Sequence, residues 1–407
     1  MPKLYKRLIV SLACFVAVGL SGIDAFALVS RASNPRLALR VAPHDAGALI
    51  SAAKQAMLDH PHDARVRTAA FEMAQSALRD QALSPAAFVL LAVADPSKST
   101  AEVSSQRVKM ALRLSQRELG AHLWLIEDGA RRNDLKGVLR SYDAALRTSE
   151  SAASLLMPLL VSALPDEEVS GGLVPYIKAG APWVEIFVQT AIARDAAVAP
   201  LARLLIQSGG LKPSVSSASI ERALVDRLVV LGTPLLAKDY YLTTKGADRA
   251  LVTSPEFSIA SLREESGLLG WQFINDAGLG ASPTDGGSKN ALGLHSVAAM
   301  DRHGAVARKL LFLGPGTYQL KARFGPLISG KGGLARWTLR CVNVKVSQIA
   351  WEGAWVPLAA GAALSGSASV SQDCPAQFLE LSIAGGEAGT GAEFDLFGVT
   401  LQGGPQL

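Results

Sequence analysis

The sequence predicts a protein that is helical first and β second: an α-helical repeat array followed by a C-terminal jelly-roll-like β-sandwich, behind an N-terminal hydrophobic export segment. Three observations carry this. The triplets Ala77-Leu78-Arg79, Ala111-Leu112-Arg113 and Ala145-Leu146-Arg147 stand 34 residues apart, twice in succession. Near Thr253-Ser254-Pro255 an apolar period of 2 replaces one of 3.6. The chain begins with Lys3, Lys6 and Arg7, then an apolar run from Leu8 to Leu20.

The first segment, residues 1–30, reads as a signal peptide or a membrane anchor. Ala25-Phe26-Ala27 offers the small residues that a signal peptidase reads. Leu8 to Val29 is also long enough to span a bilayer, with Asp24 as its one charge near the outer interface. Both readings carry the body of the chain across the inner membrane, so a periplasmic location is expected. Setting Cys14 aside leaves Cys341 and Cys374, and an exported protein with an even pair invites a disulfide.

The second segment, 31–251, is assigned to helices. Ser33-Asn34-Pro35 and Pro43-His44-Asp45 are helix starts, with Asp45 as a cap ahead of Leu49, Ala52, Ala53 and Ala56. His60-Pro61, Ser84-Pro85 and Asp95-Pro96-Ser97 break the helices at short intervals. A helix–turn–helix unit repeating every 34 residues is the period of the tetratricopeptide repeat, which buries its apolar face only by stacking on neighbours. The small Ala of each triplet allows two helices to approach, and Tyr142 and Leu146 fill the gap beside Ala145. Ala38-Leu39-Arg40 stands 39 residues before Ala77 and reads as an outlying copy with a short insertion. Beyond residue 150 the period fades while helical patterns persist. Gly171-Gly172 and Gly209-Gly210 read as turns, and Leu224, Leu228 and Leu231 with Tyr240-Tyr241 as a last pair. Loop counting gives roughly ten to twelve helices.

The third segment, 252–407, alternates in Trp271-Gln272-Phe273, Tyr318–Ala322, Trp337–Cys341, Phe378–Ile383 and Phe394–Leu401. Eight or more short strands at such spacing indicate a sandwich. Gly314-Pro315-Gly316-Thr317 predicts a hairpin between Leu310–Leu313 and Tyr318–Phe324.

The composition narrows function. A net charge of +5, scattered over 407 residues with no basic block among aromatics, speaks against nucleic acid as a partner. Six scattered histidines form no metal-ligand spacing, and His60 and His62 flank Pro61 in a polar loop. No Gly-x-Ser-x-Gly elbow occurs. The carboxylates Glu264, Glu265, Asp276, Glu352, Glu387, Glu393 and Asp395 show no spacing that singles out a glycosidase pair. Gly330-Lys331-Gly332-Gly333 lacks the context of a phosphate loop. No enzyme activity, cofactor or metal is therefore expected. Aromatic chemistry is more promising, because sugars stack their C–H faces on indole rings while amides and carboxylates read the hydroxyls. Trp351 and Trp355, four apart and thus on one face of an extended strand, form a candidate glycan platform with Gln348 and Glu352. Trp271 and Trp337 fall in alternating apolar strands and are assigned to the core.

Leu123-Trp124-Leu125-Ile126-Glu127, Tyr142–Arg147, Gly270-Trp271-Gln272-Phe273, Pro315-Gly316-Thr317-Tyr318 and Cys374–Leu379 together resemble a family of exported tetratricopeptide-like proteins of Gram-negative bacteria. Members carry a C-terminal carbohydrate-binding-like sandwich and are met near exopolysaccharide genes. The chain departs from the usual repeat at Glu150, where proline commonly closes the unit. The resemblance implies a non-enzymatic periplasmic scaffold for exopolysaccharide synthesis or export, with protein partners on the helices and glycan or another envelope component on the sandwich. The alternatives are a purely protein-binding structural adaptor and a carbohydrate-processing enzyme.

Overall fold

A computed structural model describes residues 28–31, 33–97, 100–285, 292–329, 332–342, 349–359, 362–386 and 391–404. The expected export segment falls almost wholly outside them, as does Gln348. The chain divides into two compact units, one ending at Met157 and the other beginning at Pro158. No helix among the described residues is long and apolar enough to cross a membrane.

The first unit is built of paired helices. After α1 (Pro35–Val41), α2 (Ala46–Asp59) pairs with α3 (Ala64–Asp80), α4 (Pro85–Val93) with α5 (Ala101–Leu114), and α6 (Leu119–Arg131) with α7 (Leu135–Thr148). The Ala-Leu-Arg triplets fall at one structural position. Ala38, Ala77, Ala111 and Ala145 have no exposed surface. The Leu that follows each is half-buried and the Arg exposed. Each alanine carbonyl also accepts the cap N–H that ends its helix, from Ala42, Gln81, Ser115 and Ser149 at 2.8–3.0 Å. At three of these caps the third residue on opens the next helix, and its N–H donates back to the cap carbonyl: Asp45 to Ala42, Ser84 to Gln81 and Glu118 to Ser115; after Ser149 the next helix begins at once, at Glu150. The outlying copy is therefore a true positional equivalent. Its longer interval is taken up partly by α3, which has 17 residues where α5 and α7 have 14. Asn34, Asp45, Asp63 and Asp134 cap their helices through side-chain oxygens.

The helix α8 (Glu150–Ser162) carries the chain into the second unit. Here α9 (Glu167–Ala179), α10 (Val184–Ile192), α11 (Asp195–Ser208), α12 (Ser217–Val230), α13 (Pro234–Thr243) and α14 (Arg249–Thr253) follow. The fourteen helices named so far are more than loop counting gave. Gly171-Gly172 is no turn: both glycines lie inside α9, whose N-terminus is held by Asp166 and whose core residues are Leu173 and Ile177. Gly209 and Gly210 do end α11, in left-handed conformations that favour glycine.

After α15 (Ile259–Leu262) and a 3-10 turn (Glu264–Leu269) come two antiparallel sheets. Sheet A has the order β1-β4-β10-β6-β7, with β8 also on β6; sheet B has the order β2-β3-β11-β5-β9. The strands are β1 (Trp271–Phe273), β2 (Leu279–Asp285), β3 (Leu292–Ala298), β4 (His303–Leu311), β5 (Gly316–Ser329), β6 (Leu334–Cys341), β7 (Ile349–Glu352), β8 (Val356–Pro357), β9 (Ala363–Val370), β10 (Gln377–Ala384) and β11 (Ala392–Gly404). One core lies between the sheets, from Trp271, Trp337, Leu339, Leu379 and Leu381 on one side to Leu294, Phe324, Phe394 and Leu396 on the other. Trp271 and Trp337 are buried in it, 6.1 Å apart.

The expected hairpin at Gly314–Thr317 does not form. β4 and β5 belong to different sheets, so the connection crosses over the core. Both Phe312 and Leu313 are buried in that crossing. Gln377, itself fully buried, accepts from the Leu313 N–H at 3.0 Å and donates to its carbonyl. Buried apolar residues at a turn favour a sheet-to-sheet arch, because a hairpin loop would leave them in water.

Cys341 at the end of β6 is bonded to Cys374 ahead of β10, with Cα atoms 5.3 Å apart. Such a bond points to an oxidising, extracytoplasmic compartment.

Candidate functional site

On β6, Ala335, Trp337 and Leu339 enter the core, so strand alternation turns Arg336, Thr338 and Arg340 outward. The register continues that outward row across sheet A. Gln272 on β1 lies opposite Arg308 on β4, Arg308 opposite Glu380 on β10, Glu380 opposite Thr338, and Thr338 opposite Glu352 on β7. The side chains pair along it. The Arg308 Nε donates to Gln272 Oε1 at 2.9 Å, and its guanidinium lies 5.0 Å from the Phe378 ring centroid. Arg340 Nε donates to Glu380 Oε2 at 2.6 Å. Arg336 meets Glu352 at 2.6 Å and stands 4.4 Å over the ring of Trp355. A planar guanidinium suits this double role, since its edge meets a carboxylate while its face covers an aromatic ring.

The two indoles proposed as one platform are separated by the sheet. Trp351 packs against the core from the edge strand β7, and its ring lies over Gly366 of the facing sheet. A Cβ at Gly366 would meet Trp351 Cζ2 at 2.1 Å, so glycine is what admits the ring. Trp355 lies on the outer face with Arg336. The expectation of a shared face assumed an unbroken strand, but β7 ends at Glu352 and Gly353–Trp355 is irregular. The outer-face cluster is therefore Trp355, Glu352 and Arg336, with Trp351 packed toward the core. Gln348 lies outside the described residues. Arg336 was not singled out from sequence, although its position next to the core Trp337 in an alternating strand gave the signal.

A second group lies on the outer face of sheet B. His295 Nδ1 is 2.9 Å from Asp395 Oδ1, and His295 Nε2 is 3.4 Å from Glu393 Oε1. Each ring nitrogen thus faces a different carboxylate, and the imidazole is fixed between them. Phe397 packs beside it, over Gly293 and Gly325. The strands β3 and β11 bring these residues together across about a hundred positions of sequence, and no local pattern marks them.

Where the second unit's helices meet its sandwich, Lys309 is buried without exposure, and Nζ donates to the carbonyls of Leu269 at 2.5 Å and Leu251 at 3.2 Å. Burial draws its ammonium down to about 8, against a smaller upward pull from Asp248. Beside it is a cavity of about 370 Å³, lined among others by Glu221, Tyr241, Asp248, Leu251 and Leu269. Burial pushes the Glu221 carboxyl and the Tyr241 phenol above their usual ranges.

No protein-family model matches the chain, and no curated protein matches its sequence.

Proposed function

We propose that the protein is a non-enzymatic periplasmic scaffold of envelope polysaccharide synthesis or export. In this reading the paired helices are repeats of tetratricopeptide type that hold protein partners, and the sandwich is a jelly roll that contacts glycan. The observation that carries the reading is Trp355 with Arg336 and Glu352. An aromatic ring sits beside a charge pair whose geometry is fixed before any ligand arrives, and polar groups that converge beside an apolar surface are what a binding site requires. The row of paired charges across sheet A extends such a surface over several strands, as a polymer would need. The disulfide supports the compartment.

The test is titration of the full chain with a panel of neutral and acidic bacterial exopolysaccharides, read by calorimetry. Saturable binding that Trp355→Ala and Glu352→Gln abolish supports the glycan reading. Binding unaffected by both variants, or no binding by a folded chain, overturns it. The second outcome would favour the protein-binding adaptor, a reading that the inward packing of Trp351 supports.

A further inference from the structure

The strand β9 closes one side of sheet B, and among the described residues no strand pairs with it on the side away from β5. The other edges are blunted. β1 has three residues, β7 and β8 have four and two, and β7 shifts register against β6. β2 carries Pro283 and ends on Asp285. β9 is eight residues of Ala, Leu, Ser, Gly and Val, with no charge and no proline, paired to β5 without a shift. Shortness, charge, proline and bulges are the devices that keep an edge from pairing with another chain, and β9 has none of them.

The backbone groups on its open side can be assigned. The Phe324 N–H donates to the Ala362 carbonyl at 3.1 Å, one residue before β9. Hydrogen-bonded pairs alternate along an antiparallel ladder, so Leu364, Gly366, Ala368 and Val370 bond to β5. Ala363, Ser365, Ser367 and Ser369 then turn both N–H and C=O away from the sheet. All four are exposed, while Leu364, Ala368 and Val370 are buried. The strand β7 borders the same flank, with Trp351 over Gly366 and with Ile349 exposed.

We infer that β9 pairs with β9 of a second copy of this chain, antiparallel about a two-fold axis at Ser367, joining the two five-stranded sheets edge to edge. Ser367 faces Ser367 of the copy and Ser365 faces Ser369, and each pair exchanges both N–H···O bonds. On the core side Leu364 meets Val370 and Gly366 meets Ala368, so large residues oppose large and small oppose small. The rows continue into β5 as Lys321-Ser365-Ser369-Thr317 and Gln319-Ser367-Ser367-Gln319, in which no charge faces a like charge. A foreign peptide added to an edge takes its specificity from pockets for alternate side chains, and this edge of serines offers none. The occupant whose own residues match is the same strand. At about 3.4 Å per residue the edge is about 27 Å long. With sheets about 10 Å apart, the flank buries on the order of 1,000 Å² in all, the low end for specific complexes, so the pair forms reversibly. The glycan reading rests on the outer face of sheet A, so the two stand or fall separately.

The test is sedimentation equilibrium of the full chain over a roughly hundredfold range of concentration. The weight-average mass of the wild type is expected to rise from one chain toward two. Ser367→Pro removes an N–H that bonds to nothing within one copy, and Ser367→Lys sets like charges against each other at the axis. Both variants should keep the wild-type circular dichroism and stay at the mass of one chain throughout. Ser282→Lys, on the edge strand β2 of the same sheet, should associate as the wild type does. A wild type that stays at one chain overturns the inference. So does association that survives both Ser367 variants or is lost in Ser282→Lys. Growth past two chains overturns it as well, because a two-fold pair closes on itself.

Discussion

The ammonium of Lys309, on β4, donates to the carbonyl of Leu269 in the 3-10 turn from a position without solvent exposure. Two carbonyls solvate the charge in place of water, and no carboxylate among the described residues is hydrogen-bonded to it. Its value near 8 lies below the ordinary 10.5, so the unfolded chain binds the proton more tightly than the folded one. The unfavourable contribution is fully present below pH 8 and is relieved as pH rises toward 10.5. Full relief amounts to roughly 3 kcal/mol. Urea unfolding of the wild type should show stability rising from pH 8 to 9.5, and Lys309→Met should flatten that rise. Above pH 10 the buried phenol of Tyr240 and the half-buried phenol of Tyr241, raised by desolvation, work in the opposite sense, since only the unfolded chain ionises them easily. A wild-type curve that is level over pH 8–9.5 would contradict the assignment.

The two indoles four residues apart should differ in what they do for stability. Trp351→Ala empties a space between the sheets and is expected to cost about 3–5 kcal/mol at the upper end, less in proportion to its partial exposure. Trp355→Ala removes a half-exposed ring and its stacking with Arg336, for about 1 kcal/mol. Denaturant midpoints of the two variants check the order, and equal losses would mean that both rings are core.

The bond between Cys341 and Cys374 closes a loop spanning 33 positions that carries β7, β8 and β9. Loop-closure entropy for that length gives about 3–4 kcal/mol. The double variant Cys341→Ser, Cys374→Ser should lower the unfolding free energy by that amount, and adding reductant to the variant should change nothing further.

Ala77, Ala111 and Ala145 each sit at zero exposure at one equivalent position. Enlarging any of them to Leu should destabilise the first unit by about 1–3 kcal/mol through overpacking. Similar losses at all three are expected because the surroundings repeat. Thermal unfolding would detect a site that tolerates the larger side chain and so breaks the equivalence.

How much of this was legible depends on how local its cause is. The helix pairs were readable because a close crossing demands a small residue, and the interval between such residues is carried on the chain itself. Trp271 and Trp337 could be assigned to the core because alternation is a local property of a strand. The crossing at Gly314–Thr317 was misread as a hairpin because turn chemistry does not say which sheet the next strand joins. That choice rests on Gln377, more than sixty residues away, which holds Leu313 in place. The glycan candidates were half legible. Glu352 and Trp355 fall together, while Trp351 turns inward because Gly366 on another strand leaves room for it. His295, Asp395 and Glu393 meet only through the pairing of β3 with β11.

The same short joint ends α1, α3 and α5: an alanine carbonyl takes the cap N–H, and three residues later the next helix opens by bonding back to the cap. The three joints share one hydrogen-bonding pattern, whatever the length of the helices between them. Cutting out residues 85–118 would bring Ser84 against Leu119, a junction of the kind already present on either side. In the proposed repeat reading, the length of the array is a quantity that can change by whole units, through duplication or loss in a gene, without a new turn having to be invented.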